Sequence, residues 1–240
     1  MVEIMKELEL LREEAGKWNI ELGPHELKRF EDYYNLLVSR NEKMNLTAIT
    51  DPKEVVVKHF LDSLSVASVI DLKEVSSMID VGTGAGFPGI PLKIAFPHIR
   101  VTLLDSLNKR VVFLNEVTGE LGLEDIEAVH GRAETVSREK SYRESFDLCV
   151  SRAVADLSVL TELCTPFVKM GGRFVSYKSG SCDEEVERAE NAIRVLGCSM
   201  EDVKKFMLFD SSRSFVVIRR DETCPKRYPR REGVPGKKPL

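Results

Sequence analysis

The sequence has no apolar run near the roughly 18 residues that a membrane span needs. Its opening, "MVEIMKELELLREE", is too acidic for a secretory leader. The five cysteines (Cys149, Cys164, Cys182, Cys198, Cys224) are odd in number and include no Cys-x-x-Cys pair. That pattern suits neither a disulfide framework nor a zinc site, so no metal and no membrane partner are expected, and a reducing, cytoplasmic setting is. Net charge is also small: 35 basic against 39 acidic residues leave a formal −4, a balance that selects no partner. There are no internal repeats, and no low-complexity segment outside the C-terminus. What remains is a 240-residue chain, 42% hydrophobic, sufficient for one sizeable core and a small appendage.

The average charge conceals an asymmetry. Between residues 226 and 240 stand six cations (Lys226, Arg227, Arg230, Arg231, Lys237, Lys238) and one anion, Glu232. A basic tail on an acidic body fits a polyanion such as nucleic acid, and it equally fits a solvated terminus. Pro225, Pro229, Pro235 and Pro239 make the tail extended and not helical. Residues 1–72 read as helix throughout: Ile4, Leu8 and Leu11 share one face, and Leu27, Phe30, Tyr34 and Leu37 a second. Thr50 or Asp51 followed by Pro52 opens another helix. From Ser76 apolar strands alternate with helices ("SSMIDVG", "PGIPLKIAF", "IRVTLLDS", "KRVVFLNEVTGELG"). "DLSVLTELCTPFVKM" reads as one helix, and "EDVKKFMLF" with "RSFVVIRR" as a terminal antiparallel pair. Residues 73–222 are therefore expected to form a mostly parallel α/β sheet, with 223–240 as the basic tail.

The densest signal is "MIDVGTGAGFPGIP", with Gly82, Gly84, Gly86 and Gly89 in eight residues. After the first strand of such a sheet, glycines let a ligand approach the backbone at the carboxyl edge. Gly84-x-Gly86-x-x-Gly89, with Asp105 about 20 residues on, formally fits a dinucleotide site. Asp80-Val81-Gly82-Thr83-Gly84-Ala85-Gly86 fits the acid-x-Gly-x-Gly-x-Gly pattern of S-adenosylmethionine sites. The second is favoured. The strand ends at Gly82, Pro88 and Pro91 remove amides that a pyrophosphate would need, and no lysine follows to make a P-loop.

Together with "NLTAI" (residues 45–49), "HFLDSL" (59–64), "GRAE" (131–134), "SRA" (151–153) and the ending "YPRREGVPGKKPL", this loop resembles the RsmG (GidB) methyltransferases. Those bacterial enzymes methylate N7 of one guanosine in 16S ribosomal RNA. The resemblance covers nearly the whole chain and implies a class I (Rossmann-like) S-adenosylmethionine-dependent methyltransferase fold with a helical N-terminal extension. It further implies that Gly82, Gly84 and Phe87 contact the cofactor, that Asp105 accepts from the ribose hydroxyls and that Ala133 and Glu134 border the adenine. Arg152 would pair with the cofactor carboxylate. The implied partner is 16S rRNA or the small ribosomal subunit, met by a monomer. Lys178, Arg219, Arg220, Arg110, Arg227, Arg230 and Arg231 are the candidate RNA cations, each alternatively a solvated charge. Rival readings are a nicotinamide-dependent oxidoreductase and a non-catalytic RNA-binding or cell-division protein.

Two other constellations carry less. His59, Asp62 and Ser63 form no hydrolase set, because Ser63 points away from the face that His59 and Asp62 share, and no nucleophile elbow accompanies them. Their expected role is to tie down a loop. Cys164 lies in an apolar helical stripe, the setting of a small hydrophobe and not of a nucleophile. Guanine N7 has an in-plane lone pair and no proton, so its methylation calls for alignment and exclusion of water, and for no general base.

Overall fold

The computed structural model describes residues 2–240. Helices α1 (Val2–Gly16) and α2 (Pro24–Met44) lead into α3 (Pro52–Val55), a π-helical turn (Val56–Leu61) and α4 (Asp62–Leu64). Pro24 occupies the first position of α2, where a missing N–H costs nothing, and the Glu26 carboxylate accepts from the Gly23 amide at 2.9 Å. Asp51 caps α3 by accepting from the Glu54 amide at 2.9 Å. Ile4, Leu8, Leu11, Phe30 and Leu37 are buried as their spacing requires. Tyr33, and not Tyr34, completes the α2 stripe, leaving Tyr34 half-buried.

The α/β part runs β1 (Ser77–Val81), α5 (Gly89–Ala95), β2 (Arg100–Asp105), α6 (Asn108–Glu120), β3 (Ile126–His130), α7 (Ala133–Val136), β4 (Phe146–Arg152). It continues α8 (Leu157–Cys164), β5 (Val168–Ser179), α9 (Asp183–Val195), β6 (Cys198–Leu208), β7 (Ser211–Arg220), α10 (Val234–Lys237). The strands form one seven-stranded sheet in the order β3-β2-β1-β4-β5-β7-β6. The first five lie parallel, while β7 inserts antiparallel between β5 and β6. Strand order reverses at β1/β4, so the carboxyl ends of these strands open the crevice where such sheets take ligands.

One face of the sheet packs Met78, Leu103 and Val150 against Leu11, Phe30 and Phe60, so the N-terminal helices share a core with the sheet. The other face packs Ile79, Cys149 and Phe174 under Leu160 and Cys164 of α8 and Ile193 of α9. The helix expected to reach Met170 stops at Cys164, since Pro166 cannot supply the next amide bond; a 3₁₀ turn follows and Val168 already begins β5. The tail is not wholly extended, because Val234–Lys237 makes one helical turn. Among the described residues no helix is long and apolar enough to cross a membrane.

Candidate cofactor and RNA site

The glycine loop satisfies itself. Gly82 and Thr83 amides donate to Leu104 O, Gly86 and Phe87 amides to Thr83 O, and Ile90 to Gly86 O. Thr83 Oγ1 and the Gly89 amide donate to Asp80 Oδ2 at 2.7 and 2.9 Å. Pro91 has no amide to offer, so the start of α5 presents little to a pyrophosphate. Gly82 (φ +75°) and Gly84 (φ +64°) need left-handed backbone, and the space beside Gly84 is open where a side chain would stand. Asp80 is wholly buried, its Oδ1 has no partner, and burial raises its pKa to about 6.

At the next strand end Asp105 Oδ2 accepts from the Gly84 amide at 2.9 Å and from Arg110 at 3.3 Å, while Oδ1 accepts from the Leu107 amide at 2.9 Å. A carboxylate has about four acceptor directions, so one remains, and the half-buried Arg110 is the partner that a ligand diol can displace. Arg110, an RNA candidate by sequence, is thus paired with Asp105 at the end of β2. Two carboxylates beneath one loop oppose a pyrophosphate and suit a sulfonium- and ammonium-bearing cofactor, so the residues fit S-adenosylmethionine. Beside Asp105 the Gly131 amide donates to Asp105 O, which sets Ala133 and Glu134 on the same edge, both buried.

Past the switch point Arg152 donates to Asp62 Oδ2 at 2.6 Å and to Lys58 O at 3.2 Å. Its guanidinium stands 5.2 Å from the Phe87 ring centre. Asp62 Oδ1 accepts from Arg213 at 2.7 Å, so one buried carboxylate joins two arginines from different strands. Arg152 is thus already partnered, and a cofactor carboxylate would have to share it. His59 stacks on Phe87 at 4.5 Å and its Nε2 meets Thr47 Oγ1 at 2.9 Å, tying down the "NLTAI" loop as expected. Burial, reinforced by Arg152, lowers the His59 pKa to about 4, so the ring is neutral near pH 7. Tyr33 Oη donates to Ala85 O at 2.6 Å and anchors the glycine loop to α2. Arg152, Tyr177, Arg213 and Phe215 line a cavity of about 520 Å³ at the ends of β4, β5 and β7.

The RNA cations separate into groups. Lys178 lies on this cavity but donates to Ala155 O at 2.9 Å and pairs with Glu185 at 2.5 Å. Arg219 and Arg220 stand at the opposite edge, because β7 runs antiparallel and pairs Arg219 with Arg173. Arg220 is 1% exposed and donates to Val168 O and Leu196 O, which removes it from any RNA surface. Arg230 is held on the buried Glu162. Arg227 and Arg231 are exposed. Arg213, near the start of the same strand, lines the cavity instead, as the antiparallel pairing of "RSFVVIRR" requires of that end.

A family model described as rRNA small subunit methyltransferase G (GidB) matches residues 26–215. The Alkaliphilus metalliredigens protein called Ribosomal RNA small subunit methyltransferase G is 50% identical over 233 residues, 96% of this chain and 98% of that one. The Bacillus subtilis protein of the same name is 48% identical, over 92% of this chain and 93% of that one. Among solved structures, an S-adenosylmethionine-dependent O-methyltransferase from Thermotoga maritima aligns with TM-score 0.51 and 18% identity, covering 78% of this chain and 72% of that one. A ribosomal protein L11 methylase from Lactobacillus delbrueckii aligns with TM-score 0.52 and 17% identity, over 69% and 79%. These two show the fold alone, a Rossmann-like α/β sheet. Identity near one half along almost the full length shows more: the chain belongs to the rRNA small subunit methyltransferase G family and is a methyltransferase that uses S-adenosylmethionine.

Proposed function

We propose that this chain methylates N7 of one guanosine in 16S rRNA, acting in the cytoplasm as a monomer on the RNA or on the small ribosomal subunit. The observation that carries this reading is the cavity of about 520 Å³ at the strand ends, with Arg152, Arg213, Lys58 and Lys178 among the residues on its walls. A base edge accepts hydrogen bonds from such cations, and the half-buried Phe206 is the ring left for stacking, since Tyr177 and Phe215 are buried. When bound, S-adenosylmethionine supplies an electrophilic methyl group on a sulfonium. Gly82, Gly84, Phe87, Asp105, Ala133 and Glu134 would hold it, and Arg152 would lie between cofactor and base.

N7 attack releases no proton, so a base is unnecessary, and the nearest histidine fits that demand by being neutral and engaged at both ring nitrogens. The division into a helical region (1–72), cofactor domain (73–222) and tail (223–240) assigns alignment of the base to the junction of the first two. The test is to incubate unmodified small-subunit particles with methyl-labelled cofactor, digest the RNA and identify the labelled nucleoside. Label in 7-methylguanosine of 16S rRNA is expected; label in any other nucleoside, or none with active cofactor binding, overturns the proposal.

A further inference from the structure

On charge alone the C-terminal tail fits RNA or a solvated terminus, yet it makes a series of fixed contacts to the rest of the protein. Arg143 donates to Cys224 O and Tyr228 O at 3.0 Å each, and Arg138 to the carbonyls of Lys226, Arg227 and Pro229. Glu162, buried in α8, accepts from the Arg230 amide at 2.6 Å and from its guanidinium at 2.6 Å. Beyond this anchor the chain turns at Gly233 (φ +75°), whose amide donates to Glu134 Oε1 at 3.0 Å. Glu232 pairs with Arg132 at 3.0 Å, and the same arginine reaches Glu134 Oε1 at 3.4 Å. The tail ends with Leu240 O accepting from Ser158 Oγ at 3.1 Å.

We infer that Gly233 is a positioning residue of the cofactor site: its amide fixes the Glu134 carboxylate, and so the tail sets the affinity for S-adenosylmethionine. This rests on the reading of Glu134 as a neighbour of the adenosine. The geometry gives the inference its force. Glu134 is the second residue of a four-residue helix that begins three residues after β3 ends, and it is 5% exposed, so its rotamer is decided by whatever donates to it. The two donors to Oε1 are Gly233, 99 residues away in sequence, and Arg132, itself drawn to the tail by Glu232. A carboxylate held at one oxygen keeps the other as a directed acceptor. The Arg230–Glu162 anchor fixes the height of the turn, and the left-handed backbone at Gly233 aims its N–H inward.

The experiment compares S-adenosylhomocysteine affinity by calorimetry, and KM for S-adenosylmethionine, in the full chain, three single variants and one double variant. Gly233→Pro removes the amide and cannot hold φ +75°. Gly233→Asn tolerates left-handed backbone, keeps the amide, and has open space for its side chain. Glu134→Ala removes the acceptor. Gly233→Pro should weaken binding roughly tenfold and raise KM with little change in kcat, while Gly233→Asn stays within about twofold of the original. In a Glu134→Ala background Gly233→Pro should add nothing further. Equal affinity of the Pro variant and the original chain, or additive losses in the double variant, overturns the inference. Failure of the original chain to bind S-adenosylhomocysteine would instead count against the cofactor edge itself.

Discussion

Asp105 shows how much one side chain is asked to do at this edge. Sequence reasoning gives it the ribose; the structure adds the Gly84 and Leu107 amides, which it holds at 2.9 Å each. The same carboxylate therefore shapes the loop and addresses the ligand. Asp105→Ala should cost on the order of 2–4 kcal/mol of S-adenosylhomocysteine affinity, the loss of two charge-assisted hydrogen bonds. The Gly84 and Leu107 amides also lose their acceptor, which favours a rearranged loop and adds to that loss. Calorimetry on a folded variant checks this, and unchanged affinity would take Asp105 out of the site.

Among elements, the decisive joint is between the π-helical turn with α4 and the ends of β4 and β7. A π turn carries an extra residue per turn, and here it sets His59 against Phe87 and Asp62 between Arg152 and Arg213. Asp62→Ala strips both arginines of their shared partner inside the joint. Breaking a buried pair from one side costs about 3 kcal/mol at the low end of the usual range, which suits side chains of Arg152 and Arg213 that are 15% and 22% exposed. Urea unfolding should show the midpoint falling at constant slope, whereas a shift under about 0.5 kcal/mol would make the joint dispensable. Periodicity made α1, α2 and the strands legible, because buried faces repeat locally. Glycines with an acid before them made the cofactor loop legible for the same local reason. The sequence did not reveal pairings across long separations: Glu162 with Arg230, Glu134 with Gly233, Asp62 with Arg213. Arg220 shows the limit plainly, since a terminal arginine reads as a surface charge until the packing that buries it is known.

For the whole molecule, the question is how a chain of net charge −4 holds a polyanion. The answer lies in where its cations stand. Arg219 is on the edge opposite the cofactor and is paired with Asp221 at 2.7 Å; Arg230 is held by Glu162. Arg227 lies exposed over the Tyr228 ring, 5.0 Å from its centre, and Arg231 is exposed one residue beyond the anchor. Their backbone is fixed by the protein, so on the proposed function these two guanidinium groups would meet phosphate with little ordering cost. Each phosphate contact to a single strand contributes about 0.7 to the slope of log affinity against log salt concentration. Arg227→Ala with Arg231→Ala should thus flatten the slope for 16S rRNA by roughly 1.4, weaken binding most at low salt and leave S-adenosylhomocysteine affinity unchanged. Arg219→Ala, facing away, should leave both quantities alone. A filter-binding series across salt concentrations separates the cases: an unaltered slope in the double variant, or an equal flattening from Arg219→Ala, would show that RNA does not meet the protein along this tail.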